Sequence, residues 1–238
     1  MMKHQRNPAW TGGERSGKGA VLFDFDMTLV DSSLGITYCL NRLAGSFGLA
    51  EVTREEVIST IGHPMDKAME MLWGRYEPAW MEYYRKYLVP LEYERIVPFA
   101  ATRGALKKLL DKGLPLGVVS NRKKLLRAVE SAGLGGYFLS VVGMDDVENP
   151  KPHPEPLWLS LRNLGSTASG TTLVGDSEID ALAARSAGIR FIGVSTGGTS
   201  PGVLSSAGAL DVIKDISELA RVLPVEQEGA FDVDRGVI

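Results

Sequence analysis

The sequence predicts an α/β fold in which a core of parallel strands carries helices on both faces and is interrupted once by an all-helical insertion. Three observations predict it. Short apolar runs recur along the chain, and each closes in polar residues. Helical patterns ending at glycine lie between them. The alternation lapses only from Asp31 to Val97, where helical signals stand alone.

The first run, Ala20 to Asp26, is apolar and partly β-branched and ends in carboxylates, as a buried strand does at a polar sheet edge. Leu116–Val119 ends at Ser120-Asn121, Thr171–Val174 at Gly175-Asp176, and Phe191–Val194 at Ser195-Thr196. Weaker runs span Phe138 to Val142 and Leu210 to Ile213. Helices are expected over Thr102–Lys112, Lys123–Ala132, Pro154–Leu164 and Ile179–Ala187, with Gly113, Gly133, Gly165 and Gly188 as their stops. Strand and helix in alternation give a Rossmann-like parallel sheet, and ligands of such sheets bind beyond the C-terminal strand ends.

Within the insertion, Thr53-Arg54-Glu55-Glu56 reads as a capping box opening a helix through Thr60, and Pro64–Trp73 and Glu77–Tyr93 are further helical segments. The expected domains are a loose tail over 1–19, an α/β core over 20–30 and 98–223, a helical cap over 31–97 and a C-terminal tail over 224–238. Five of the seven tyrosines fall between Tyr76 and Tyr93, where packing between cap helices is the expected use.

Composition narrows the function. Lys+Arg 26 against Asp+Glu 29 leaves a formal charge of −3, which argues against a broad nucleic-acid surface or a polybasic membrane anchor. No apolar run approaches the roughly 18 residues of a spanning helix, and Met1 to Lys18 lacks the apolar centre of a signal peptide. Cys39 is the sole cysteine, which excludes an internal disulfide and fits a cytoplasmic location.

The chemistry collects at the strand ends. Residues two apart on an extended strand point the same way, so Asp24 and Asp26 can share a site. A hard cation relieves the repulsion between two such carboxylates, and magnesium suits them together with phosphate oxygens. One carboxylate can then act as nucleophile while the other handles a proton. Ser120 and Asn121 precede a predicted helix and make a candidate anion site. Lys151, held in Asn149-Pro150-Lys151-Pro152-His153-Pro154, is a rigid point charge suited to phosphate. Asp176 and Asp180 follow across a turn into a helix. Arg122, Lys123 and Lys124 read as a solvated basic face, and His153 as structural.

This ordered set resembles the haloacid dehalogenase superfamily of phosphohydrolases. DxDx[TV] is matched by Asp24, Asp26 and Thr28; a Ser or Thr closing the next strand by Ser120; a lysine in a KP context by Lys151; and GDxxxD by Gly175, Asp176 and Asp180. The insertion between the first two motifs, Ile61-Gly62-His63-Pro64-Met65 and Gly208-Ala209 resemble the phosphoglycolate phosphatase-like branch. Met27 departs from that branch, most of whose members carry glycine there, and so bears on the pocket and the substrate.

The resemblance implies a magnesium-dependent phosphatase working through an aspartyl-phosphate. Asp24 is then the nucleophile and Asp26 the acid and base. The metal is held by Asp24, the backbone carbonyl of Asp26 and Asp176. Ser120, Asn121, Lys151 and the backbone amides around Met27 and Thr28 hold the phosphoryl oxygens. Asp180 orients Lys151 or a metal-bound water, and His63 is a candidate leaving-group contact. The implied partner is a small phosphorylated metabolite, 2-phosphoglycolate by default, with neither nucleic acid nor membrane, on a monomer or homodimer. Pyrophosphatase, sugar- or nucleotide-phosphate phosphatase and phosphomutase share the four motifs. A catalytically inactive binding protein on this scaffold would be expected to lose Asp24, Asp26, Lys151 or Asp176, and all four are present.

Overall fold

The computed structural model describes residues 19–223. The tails expected over 1–19 and 224–238 lie outside this range, Gly19 excepted. In chain order, β1 (Val21–Phe23) is followed by the short β2 (Val30–Asp31), then α1 (Ser33–Phe47), α2 (Arg54–Ile58), α3 (Met65–Trp73), α4 (Pro78–Tyr83) and α5 (Val89–Tyr93). β3 (Val97–Pro98) returns the chain to α6 (Thr102–Asp111), β4 (Leu116–Val119), α7 (Leu125–Ser131) and β5 (Ser140–Val142). The remainder is α8 (Glu155–Leu164), β6 (Thr172–Gly175), α9 (Glu178–Ala187), β7 (Arg190–Val194), α10 (Pro201–Ser206), β8 (Asp211–Ile213) and α11 (Leu219–Val222).

Six strands form one parallel sheet in the order β5-β4-β1-β6-β7-β8. The two-residue period of β1 divides the core. Val21 and Phe23 join one apolar cluster with Leu106 and Leu109 of α6, Val129 of α7 and Leu219 of α11. Leu22 joins the other with Leu157 and Leu161 of α8 and Ala184 of α9. Each fully buried large side chain contributes about 1.5–3 kcal/mol, so both faces of the sheet must stay covered. The chain winds outward from β1 through β4 and β5, then returns to β6 on the other side of β1. That reversal opens a crevice at the C-terminal ends of β1, β4 and β6, where ligands of such sheets bind.

The insertion is helical, with its own apolar cluster of Cys39, Leu40, Leu43, Met69, Trp80 and Leu88 among others. Its two connections to the core pair antiparallel, Val30 with Pro98 and Asp31 with Val97. The Thr53–Glu56 capping box forms at the start of α2. No helix among the described residues is long and apolar enough to cross a membrane.

Four local expectations change. β1 ends at Phe23, because the chain turns at the carboxylates; Leu29 and Val30 both donate to the Phe25 carbonyl. The helix expected over Glu77–Tyr93 is broken by a π-helical turn at Tyr84–Leu88, where the Val89 amide reaches back to the Tyr84 carbonyl. Pro90 has no amide hydrogen to continue the α pattern there. The capping-box helix ends at Ile58 instead of Thr60. The helix expected from Lys123 starts only at Leu125, after Lys124 adopts a left-handed conformation with φ 51°.

Candidate active site

The floor of the crevice is a buried charge cluster built from four segments of the core. Lys151 is 4% exposed, and its ammonium donates to Asp24 Oδ1 at 2.6 Å, to Asp180 Oδ1 at 2.7 Å and to the Val119 carbonyl at 2.9 Å. All three of its donors are used. Asp180 is in turn held through Oδ2 by the Ser177 hydroxyl at 2.6 Å, in the capping box that opens α9. Asp176, 5% exposed, accepts the Thr28 hydroxyl at 3.0 Å. A single ammonium therefore faces three buried carboxylates. Burial drives the Asp24 carboxyl up from its ordinary 3.8 to about 7; Lys151 opposes the rise, while Asp180 and Asp26 add to it. Asp176 is also pushed well above the carboxylate range, by burial and then by Asp24 and Asp180.

Two glycines leave room for this cluster. A Cβ at Gly197 would lie 1.8 Å from Asp176 Oδ2, and one at Gly175 would lie 2.6 Å from Asp180 Oδ2. Gly197 follows Thr196, whose hydroxyl donates to the Met27 carbonyl. Met27 itself takes φ 60° in the turn after β1, a conformation that costs a non-glycine residue about 1–2 kcal/mol. Its side chain is 2% exposed and does not line the cavity above the cluster, so it supports the turn from within.

That cavity, of about 180 Å³, lies between core and cap. Asp24, Asp26 and Ser120 line it from the core, and His63, Tyr84 and Glu92 from the cap. Asp26 does not share the Asp24 cluster through its side chain. Its two oxygens accept Arg122 Nε at 3.0 Å and Nη2 at 2.6 Å. Among the described residues, the side-chain oxygens grouped closely enough to hold a cation are those of Asp24, Asp176 and Asp180, all within 4.8 Å of one another. Three oxygen donors in a pocket short of positive charge fit a hard divalent ion.

Other expected site residues take more indirect places. Asn121 uses its amide on the Gly62 carbonyl at 3.0 Å and the Lys151 carbonyl at 2.8 Å, so it ties the cap loop to the lysine loop and has no amide hydrogen directed at an anion. The Met27 amide is spent on the Val30 carbonyl at 2.8 Å, which withdraws it from the expected set of phosphate donors. Thr28 serves Asp176 through its hydroxyl. Ser120 Oγ accepts the Arg122 amide at 3.2 Å. With α7 starting at Leu125 and only seven residues long, Ser120 and Asn121 do not abut a helix N-terminus. His153 is exposed and accepts the Glu155 amide at 3.3 Å. Of the insertion's tyrosines, Tyr84 and Tyr93 line the cavity while Tyr83 packs edge-on against Phe47.

Sequence reading missed Arg122. Its side chain is 12% exposed, and the guanidinium bridges Asp26 to Glu92, a cap residue 2% exposed that also accepts the Tyr84 hydroxyl. A basic triplet in a loop reads as solvated, and nothing near it in sequence announces carboxylate partners 96 and 30 positions away.

Residues 21–194 match the family model of the haloacid dehalogenase-like hydrolases. This chain belongs to that family. A curated phosphoglycolate phosphatase of Salmonella paratyphi A is 33% identical over 225 residues, covering 82% of this chain and 88% of the relative. A crystal structure of a haloacid dehalogenase-like hydrolase from Bacteroides fragilis superposes with TM-score 0.77 at 27% identity, over 85% of this chain and 99% of that one. A predicted phosphoglycolate phosphatase from Haemophilus somnus superposes with TM-score 0.78 at 20% identity, over 90% and 100% of the two chains, which speaks to the fold alone. The chain is thus an enzyme of the phosphoglycolate phosphatase-like branch, a phosphoric monoester hydrolase.

Proposed function

We propose that the enzyme is a magnesium-dependent phosphatase that hydrolyses a small phosphomonoester through phosphorylated Asp24, with 2-phosphoglycolate as its default substrate. One observation carries this reading: Asp24 sits at the cavity floor with Oδ1 pinned by Lys151, while Oδ2 accepts no hydrogen bond among the described residues. That oxygen is the nucleophile. It attacks phosphorus in line and the ester P–O bond breaks. Asp26, across the turn, gives a proton to the leaving alkoxide, then takes one from the water that hydrolyses the acyl phosphate. Lys151 places positive charge beside Asp24 and the incoming phosphoryl oxygens, and the Ser120 hydroxyl is free to donate to one of them. Asp180 holds Lys151 in place. Asp24, Asp176 and the Asp26 backbone carbonyl are the proposed metal ligands, with Asp180 the remaining member of the carboxylate cluster. Bound magnesium supplies the charge that offsets repulsion between carboxylate and phosphate.

His63 and the apolar cap walls at Ile61, Met65, Met81 and Val89 would meet the leaving group. The 33%-identical curated relative supports 2-phosphoglycolate. The cap, hinged at the β2–β3 pair, would exclude bulk water during turnover. We place the enzyme in the cytoplasm, which its lone buried cysteine supports, as a monomer or homodimer. Phosphate release from a panel of phosphoesters, with and without magnesium and for native protein and Asp24→Asn, tests the assignment. Release that needs both supports it, and release surviving in Asp24→Asn overturns it. Preference for a sugar phosphate, nucleotide or pyrophosphate would replace the default substrate, and isomerisation without release would make the enzyme a mutase.

A further inference from the structure

Arg122 and Asn121 are consecutive residues after β4, and both reach across the cavity to the cap. Asn121 ties down the Gly62 carbonyl of the cap loop. Arg122 makes the more consequential link. Nε and Nη2 grip both oxygens of Asp26, and Nη1 grips Glu92 Oε1. Glu92 lies in α5, the last cap helix before the return strand β3, and Tyr84 occupies its other oxygen. Guanidinium is planar, so the fork that faces Asp26 and the edge that faces Glu92 turn together. With Glu92 2% exposed and the Arg122 side chain 12% exposed, little water is at hand to replace either contact.

We infer that Arg122 is a positioning residue that couples the cap to Asp26: anchored by Glu92, it sets the orientation of the carboxylate that transfers protons during phosphoryl transfer. The inference rests on the phosphatase reading above and assigns Arg122 no contact with substrate. In this structure both Asp26 oxygens are engaged. For Asp26 to reach a leaving oxygen, one of them must leave the fork while the other stays, and the seating of the cap on Glu92 governs that rotation. Glu92 thereby carries cap position to the chemistry without touching the ester.

Leaving-group chemistry separates this role from a merely structural one. A p-nitrophenolate ion leaves without a proton, whereas an alkoxide needs one. The variants are Arg122→Lys, which keeps charge but not the two-pronged grip, and Glu92→Gln, which keeps shape. Each is assayed with magnesium on 2-phosphoglycolate and, by the pre-steady-state burst, on p-nitrophenyl phosphate. Arg122→Lys is expected to lower kcat on the alkyl ester at least tenfold while changing the burst rate less than threefold. Glu92→Gln is expected to lower the same kcat several-fold alone, and less than twofold further in the Arg122→Lys background. Equal losses on both esters, or no loss on either, would overturn the coupling. The two variants are scored only where their melting curves show a folded protein; should Arg122→Lys fail to fold, the Glu92→Gln ratio between esters decides. Native protein showing no Asp24-dependent release from either ester would overturn the phosphatase reading itself, and this role with it.

Discussion

Two charged clusters flank the turn after β1, and they differ in where their parts come from. The Asp24 cluster is assembled from core segments alone: the ends of β1 and β6, the start of α9 and the loop before α8. The Asp26 cluster joins the core, through Arg122, to the cap, through Glu92 and Tyr84. The cation of the first is more deeply buried, with side-chain exposures of 3% for Lys151 against 12% for Arg122, while the carboxylates match, Asp24 and Asp180 at 9% and 2% against Asp26 and Glu92 at 11% and 2%. The first cluster is also short of positive charge, with two of its carboxyls pushed upward, whereas the cap-side cluster sets a guanidinium between two carboxylates. On the proposed reading, the contrast separates a fixed site for phosphate and cation from an adjustable one that senses the cap.

The largest effect should come from removing the shared ammonium. Lys151→Met would strand Asp24 and Asp180 in a buried site, costing about 3–5 kcal/mol of folding stability in urea titrations and at least about 100-fold in phosphate release. Arg122→Met should cost less in the same titration, about 1–3 kcal/mol, because Glu92 keeps the Tyr84 hydroxyl as a partner, whereas Lys151 is the one ammonium among three gathered carboxylates. Equal costs would erase the distinction between the clusters.

The pH response sharpens the comparison. Asp24 in the folded protein titrates near 7 and Asp176 is also raised, against an ordinary 3.8 in the unfolded chain. Between these values the folded state holds protons that the unfolded state has lost, so this contribution to stability is complete below pH 3.8 and falls as pH rises through about 7. Melting of metal-free protein should therefore show these two groups weakening the fold from about pH 5 to pH 7, and magnesium should flatten the slope. Double replacement of Asp24 and Asp176 by asparagine should remove it, while a slope that persists would locate the titration elsewhere.

The smallest effect concerns Met27. Burial of its side chain, worth about 1.5–3 kcal/mol, offsets a backbone strain of about 1–2 kcal/mol. Met27→Gly and Met27→Ala should both lose stability, but glycine, free of the φ 60° penalty, should be the more stable of the pair by about 1 kcal/mol. Alanine melting higher would contradict that account of the turn.

This difference also explains what could be read from sequence. The core cluster was legible because Asp24 and Asp176 close apolar strand runs, after Phe23 and Gly175, as Ser120 does after Val119, while Lys151 stood out between prolines and Asp180 in the turn after Asp176. A parallel sheet brings such ends together whatever lies between them. The six strands and the inserted helices were legible for the same reason, through period and punctuation. The cap-side cluster obeys no such rule. Glu92 looks like an ordinary helix carboxylate and Arg122 like one of three basic loop residues, and only the seating of the cap makes them partners. The use of the Asn121 amide and the role of Gly197 beside Asp176 were hidden likewise, since both are set by groups approaching from distant segments. The π-helical turn at Tyr84–Leu88 interrupts a segment whose sequence pattern is otherwise continuous.

The central claim is that Asp24 carries the phosphoryl group. Enzyme turning over a phosphorus-labelled ester with magnesium, quenched in acid within milliseconds and mapped by peptide, tests it most directly. Label on the peptide at Asp24, lost in Asp24→Asn, is the predicted result. Label on Asp26 instead, or steady turnover with no phosphorylated peptide at any quench time, would contradict it.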